Sequence, residues 1–533
     1  MAAAKSSARK PIDRARDWWS KRHERDEYVG SSESLPPAPV ARVLREERLI
    51  LEFAGRRVWI LTEPNRTDSR AILLQNYWPV VAKVMDRYAP SALVGMDAIR
   101  LHLGNFAPPT DVRVYHSASK SRLDVTLEAE FRLHLRPGRI SKGRLQHIAV
   151  GESSSVAVLA PADLLGTLDE EELETDIEAA CSWLRHLVIK GPDLDAALNE
   201  APRPLVIQRL ADLAGQVGNT SLAKQLDSAS RRHSATVAHP ARTGVGSRIK
   251  VPAVMRNAPR GSGTAWEDEQ IMRLDRQRSD VRRIIGSRSK RLKGLMMTRV
   301  VSGAQKSKAY DAYHNTTMEG YRITREAADA IVRGEPLSKG PHSAQEMQAA
   351  MAVQGYSIAF DSVIDIVRKR PAPQSVVTSA LILDLYEDLF RPSVDAGIVE
   401  TGALRGWRNG NVSLKGWRHV PPNHRKIRDL IGGLETFSAD PTLDAVTRAL
   451  LVHLEFVTIH PFFDGNGRLG RLLMNLCLMS GGLPWVTVRN DERLPFFQAI
   501  ESAQVEHNAT PYIEFVWHLI RSAATDAASR KSG

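Results

Sequence analysis

Residues 455–479 read EFVTIHPFFDGNGRLGRLLMNLCLM. Upstream, Leu443, Val446, Leu450, Leu454 and Val457 recur three or four apart and predict an amphipathic helix. That helix has to stop near His460, because Pro461 lacks an N–H donor and disfavours helical geometry in the residue before it. Leu472, Leu473, Leu476 and Met479 predict a second helix over 468–480. Between the two lies a short knot of a histidine, an aspartate, glycines, an asparagine and two arginines. A plain helix connection with capped ends and surface arginines does not require that set.

The knot reads as a polyphosphate seat. Gly465 and Gly467 permit positive φ and close approach of a ligand to the backbone. They stand at a helix start, where free N–H groups and the positive dipole end favour an anion. Arg468 and Arg471 then fall in the first turn, where cations oppose the dipole unless a polyanion is bound. No Gly-x-x-x-x-Gly-Lys-[Ser/Thr] occurs, so this is not a P-loop. Asp464 is an oxygen ligand of the kind Mg²⁺ shares with phosphates and water. His460, four residues earlier, suits a general base for a hydroxyl nucleophile.

Working outward, the 533 residues carry a net charge of +12, 43% apolar and 25% charged residues, within the soluble globular range. That charge is compatible with DNA or another polyanion. Arg273–Arg299 holds ten Lys/Arg against two Asp, either a solvated helix face or a phosphate-binding patch. No membrane span and no signal-peptide core are expected. Cys181 and Cys477 are read as reduced core thiols, which points to the cytoplasm.

The expected organisation is multidomain: α+β in the N-terminal half, mainly α-helical in the C-terminal half. Residues 1–38 are expected to be a disordered basic tail. Residues 39–228 form an α+β regulatory or binding region, opening with a helix and a basic hairpin at Gly55–Arg57, a winged-helix-like start. Strict alternation of Leu123, Val125, Leu127, Ala129, Phe131, Leu133 and Leu135 predicts strand with one buried face. A flexible linker is expected over 229–263 and a basic helical connector over 264–304. Residues 305–527 form a helical domain, its helices at 375–390, 420–437, 441–460, 468–480 and 493–526. One of those helices is preceded by a β-hairpin flap at 402–414, turning at Asn409-Gly410 or Gly410-Asn411. Ser343 and Glu346 form a capping box.

HPFFDGNGRLGR resembles the signature of the Fic (filamentation induced by cAMP) family, His-Pro-Phe-x-[Asp/Glu]-Gly-Asn-Gly-Arg-x-x-Arg, at every specified position. The resemblance covers about residues 305–525. It implies transfer of AMP from ATP to a Ser, Thr or Tyr hydroxyl of a protein target, the chain itself among the candidates. His460 would be the base and Asp464 the Mg²⁺ ligand. Asn466 and the backbone of Gly465 to Gly467 would bind phosphates, and Arg468 and Arg471 would hold the rest. Gly467, where a phosphorylating branch of the family has lysine, favours AMP transfer. The flap, with Gly402, Arg405 and Val412, would add a target strand. Phe496 and Phe497 stand near the position of the adenine, or are helix core. Residues 315–332, NTTMEGYRITREAADAIV, resemble the family's inhibitory helix, with Glu319 matching and Asn315 in place of Ser or Thr. Glu319 would then pair with Arg471. The N-terminal half is similar, in patches, to abortive-infection (AbiEi-like) antitoxins, which would make this a toxin fused to an antitoxin-like module. Three rivals stay open: a nucleic-acid-binding regulator with a non-catalytic helical half, removal of AMP, and use of another nucleotide.

Overall fold

Bulky residues spaced three and four apart turn the basic N-terminal segment into a helix, Pro11–His23. The computed structural model describes residues 10–25, 27–62, 68–118, 120–140, 144–150, 154–200, 204–236, 265–292, 294–335, 343–369 and 377–529. Within 1–38, the expected disordered tail is therefore largely structured. Ala15 is fully buried, and the Trp18 ring meets Trp59 edge-on at 5.1 Å. The Trp19 indole N–H donates to the Thr62 carbonyl at 3.0 Å. Composition suggested disorder, but the apolar residues share one helical face and have a sheet to cover.

Contacts divide the chain into two units, Met1–Arg273 with Leu414–Val420, and Leu274–Ser413 with Pro421–Gly533. In the first, β1 (Val29–Ser31), β2 (Ile50–Phe53) and β3 (Val58–Leu61) form an antiparallel sheet in the order β1-β3-β2. The same unit holds a six-stranded mixed sheet of β4 (Ser91–Leu93), β5 (Asp111–His116), β6 (Leu123–Glu128), β7 (Phe131–Pro137), β8 (Leu145–Ala149) and β9 (Ser155–Leu159). Its order is β6-β7-β5-β4-β9-β8. The alternating run is two strands, not one: β6 and β7 pair antiparallel about Ala129 and Glu130. Val125, Leu127, Phe131, Leu133 and Leu135 are buried while Ala129 is exposed at the turn. A two-residue turn preserves the period of two, so alternation alone cannot reveal it.

Helix Thr220–Thr236 runs into the expected linker, whose residues 237–263 lie outside the described part. The expected connector is mostly one helix, Ala265–Ser289, and the division between the units falls inside it. Its basic side chains are partly spoken for: Arg273 pairs with Glu269 at 2.6 Å, Arg283 with Asp280 at 3.0 Å and Arg288 with Glu514 at 3.0 Å. Arg278 lies over the Phe437 ring.

The second unit is helical, built on Met297–Met318, Ala344–Lys369, Ser379–Asp395, Ile427–Ser438, Ala445–Ile459, Asn466–Ser480, Arg493–Val505 and Thr510–Ser529. The expected 493–526 helix is two helices. Between them His507 takes φ 55°, and the Asn508 carboxamide accepts the Thr510 N–H at 3.2 Å. The capping box is present, with the Ser343 N–H on Glu346 at 2.8 Å and the Glu346 N–H on Ser343 at 3.2 Å. Cys181 and Cys477 are free and buried.

By length and composition alone, helix Ala344–Lys369 is apolar enough to cross a membrane. Its Val353, Tyr356, Phe360, Val363 and Val367 are fully buried in the core of this unit. Gly355 sets how closely that helix packs: a Cβ there would lie 1.9 Å from the Leu389 carbonyl oxygen, whereas one at Gly432 would meet nothing within 4 Å. We expect Gly355→Ala to cost about 1–3 kcal/mol by overpacking. Gly432→Ala should be neutral or stabilising by up to about 1 kcal/mol of helix propensity. Thermal unfolding of the two variants checks this, and equal midpoints would refute the packing account.

The β-hairpin is absent among the described flap residues. Thr401–Leu404 is a 3₁₀ turn, and 405–414 bends without a ladder. Buried Arg408 takes the place of cross-strand bonds. It donates to the His460 carbonyl at 2.8 Å, to the Gly410 carbonyl at 2.7 Å and to the Pro422 carbonyl, while its N–H bonds the Pro461 carbonyl at 2.9 Å. A guanidinium that ties the loop inward satisfies carbonyls a hairpin would use for pairing.

Candidate active site

Helix Ala445–Ile459 ends where Pro461 requires, and His460 caps it in the left-handed region at φ 51°. The next helix begins at Asn466, two residues earlier than expected, with Gly465 as its N-cap at φ 84°. A Cβ on Gly465 would come within 2.9 Å of the Phe390 ring, so the position needs glycine for both space and conformation. Gly470 serves packing: a Cβ there would be 2.9 Å from Val457 Cγ1, which lets the two helices approach below the loop.

Asn466 makes bonds within the loop that the sequence did not indicate. Its side chain is buried, accepts the Phe462 N–H at 3.0 Å and donates to the Phe462 carbonyl at 2.8 Å. Each end of the carboxamide thus makes one bond to the loop's own backbone. These two bonds brace the turn into the helix.

The arginines sit deeper than first-turn surface residues. Arg471 is the sixth residue of its helix, in the second turn, and both arginines are almost fully buried. Arg468 lies between Tyr321 and Phe390, its guanidinium carbon 5.4 and 5.3 Å from the ring centroids. Its Nε is buried and has no hydrogen-bond partner among the described residues. Arg471 donates to the Asn315 side-chain oxygen, to the Asn315 carbonyl at 3.4 Å and to Glu319 Oε1 at 2.6 Å. A buried cation is costly unless an anion faces it. Glu319 supplies one, and a phosphate would supply another. Gly467 gives Glu319 its room, since a Cβ there would stand 2.2 Å from Glu319 Oε1.

Asn315, a departure from the family pattern in sequence, is thus a ligand of Arg471. One turn earlier Asp311 is fully buried, accepting from Tyr356 and Thr487 at 2.6 Å each. Period-four spacing, 311, 315 and 319, could have found this stripe, had the partner helix been known.

Asp464 is exposed. Its Oδ1 accepts the Gly465 N–H at 2.7 Å, and its Oδ2 takes only long contacts, from Arg468 at 3.3 Å and Tyr321 at 3.4 Å. Among the described residues no group of three His, Cys, Asp or Glu could by itself hold a metal. One open carboxylate beside an anion seat fits a cation shared with polyphosphate.

Burial first, then the nearby Arg408 charge, pushes the His460 imidazole down to about 4. His453, buried with its Nδ1 2.9 Å from the Tyr512 hydroxyl, is pushed down to about 3, again by burial. Unfolded, both take up protons near 6.5. Stability from these two groups is full above about pH 6.5 and is lost as the pH falls towards their folded values. We expect the urea midpoint to fall between pH 7 and pH 5. A flat profile, with His453→Gln equally flat, would count against it.

Of the remaining candidates, Phe496 is fully buried among His453, Phe497, Tyr512 and Phe515 and is core. Phe497 is half-buried, with Arg493 over its ring at 4.8 Å. Gly402 and Arg405 are exposed and Val412 is half-buried. Phe463 is 60% exposed.

Residues 376–478 match the family described as Fic/DOC. A "Probable protein adenylyltransferase" of Aquifex aeolicus is 33% identical over 132 residues, 25% of this chain and 38% of that one. Protein adenylyltransferase Fic of Nematostella vectensis is 30% identical over 214 residues, 38% of this chain and 45% of that one. The chain thus spans less than half the length of these relatives. Among solved structures, a Fic-1 fragment from C. elegans aligns at TM-score 0.38 and 17% identity, covering 68% of this chain and 100% of that one. A Fic domain-containing signaling protein from Bacteroides thetaiotaomicron aligns at TM-score 0.37 and 16% identity, covering 47% and 95%. The signature loop and the two helices that seat it lie almost wholly within residues 376–478, the part of this chain that matches the Fic/DOC family.

Proposed function

We propose that the chain is a protein adenylyltransferase that moves AMP from ATP to a Ser, Thr or Tyr hydroxyl of a protein, in the first instance its own. The observation that carries this reading is one helix junction holding His460, the open Asp464 carboxylate, a helix N-terminal turn with no side-chain cap and two buried arginines. Neutral His460 takes the proton of the attacking hydroxyl. A bond forms from that oxygen to the α-phosphorus, the bond from the α-phosphorus to the bridging oxygen breaks, and pyrophosphate leaves. The Gly465–Gly467 backbone, Arg468 and Arg471 hold the polyphosphate and stabilise its charge. Asp464 would hold Mg²⁺, which supplies charge neutralisation across the phosphates.

In this reading the chain is restrained by Glu319, whose carboxylate already occupies Arg471. The target segment lies along 402–414, with Gly402, Arg405 and Val412 as its neighbours, and Phe497 lies towards the base. The N-terminal unit is winged-helix-like in its order of helix, strand, helix and hairpin, and antitoxin-like beyond it, so that a toxin and its restraint share one chain. The setting is cytoplasmic, in keeping with two free buried thiols. A DNA-binding regulator with an inert helical half has less behind it, because Arg273, Arg278, Arg283 and Arg288 are engaged within the chain.

The test is intact-mass measurement after incubating the full chain with Mg²⁺ and each nucleoside triphosphate. We expect a gain of one AMP with ATP. No gain on the chain or on any added lysate protein would refute the reading, and a gain with another nucleotide would replace ATP in it.

A further inference from the structure

Glu319, Gly320 and Tyr321 leave helix Met297–Met318 as one short segment. Gly320 takes φ 94°, a turn that sends residues 319 and 321 to different parts of the same loop. Glu319 reaches Arg471. Tyr321 reaches the other arginine and the aspartate: its ring faces the Arg468 guanidinium, and its hydroxyl donates to Asp464 Oδ2. That oxygen also receives Arg468. The remaining oxygen is taken by the Gly465 N–H. Both Asp464 oxygens thus already accept a donor, and Tyr321 supplies one of those on Oδ2 from the segment that carries Glu319.

We propose that Tyr321 is a positioning residue that acts on the metal side of the site as Glu319 acts on the phosphate side, holding Asp464 turned from a cation until the segment withdraws. The inference rests on the nucleotide-site reading above. Its physical content is a competition: a carboxylate oxygen that accepts a phenol and a guanidinium must give up at least the phenol to ligate a metal.

The ring and the hydroxyl separate cleanly in Tyr321→Phe, which keeps the face towards Arg468 and removes the bond to Asp464. The experiment measures ATP binding to the full chain by calorimetry across a Mg²⁺ series, for the parent, Glu319→Gly, Tyr321→Phe and the double variant. In Tyr321→Phe we expect the Mg²⁺ concentration for half-maximal binding to fall about fivefold, the effect of a long charge-assisted bond. Affinity for ATP without metal should not change. Glu319→Gly should do the reverse, tightening ATP without metal and leaving the Mg²⁺ midpoint in place. The double variant should show both shifts. A Mg²⁺ midpoint that is unchanged or higher in Tyr321→Phe overturns this inference and leaves the nucleotide site standing. Failure of Glu319→Gly to bind ATP at any Mg²⁺ concentration overturns both.

Discussion

Replacing His460 with alanine is expected to lower AMP transfer by about 10²–10⁴-fold, the usual contribution of a positioned general base. Folding should be little affected. The ring is half-buried at a helix end, and the backbone already bears the left-handed φ of 51°, which alanine would bear at similar cost. The pH profile adds a sharper check. With the imidazole pushed down to about 4, it is already neutral across the physiological range. The acid limb of kcat/KM, which reports the free enzyme, should then lie near that value. A limb at 6.5 would mean that the site is wetter than its geometry implies. Transfer that survives His460→Ala at the parental rate would remove the histidine from the chemistry.

Glu319→Gly should have the opposite sign on activity. Hydrogen bonds to charged groups contribute about 1.5–3 kcal/mol, so freeing Arg471 from a 2.6 Å carboxylate should tighten ATP by about 10–100-fold. Transfer at subsaturating ATP should rise with it. The same change should destabilise the chain, because Arg471 is buried and would keep only Asn315. Breaking a buried pair costs about 3–5 kcal/mol, and the partial exposure of Glu319 puts this case at the lower end. Glu319→Gln separates charge from shape, filling the space over Gly467 without pairing Arg471 as an ion. We expect it to lie between parent and glycine variant in both ATP affinity and unfolding midpoint. A glycine variant that is more stable and binds no more ATP would mean that Glu319 is only a helix end.

How much of this was legible in sequence depends on the range of the interaction. Pro461 ends a helix through its own ring, Gly465 supplies positive φ through its missing Cβ, and the apolar periods on either side act over one or two turns. Those determinants are local, so the loop, its two helices and the chemistry of His460 and Asp464 could be read directly. The N-terminal helix was misread because its apolar residues need the sheet against which they pack. The β6–β7 turn was missed because two residues do not disturb an alternating pattern.

Other roles depended on partners far along the chain. Arg471 is held from 156 and 152 residues away by Asn315 and Glu319, and Arg408 closes the flap across 52 residues onto His460. Asn466 braces the loop because the Phe462 N–H and carbonyl come alongside its carboxamide. By itself, then, the sequence determined which groups are present and where the backbone turns, since those follow from each residue's own covalent shape. Only the tertiary structure decided which group faces which, because burying a charge forces it to take whatever counter-charge the packed helices bring alongside.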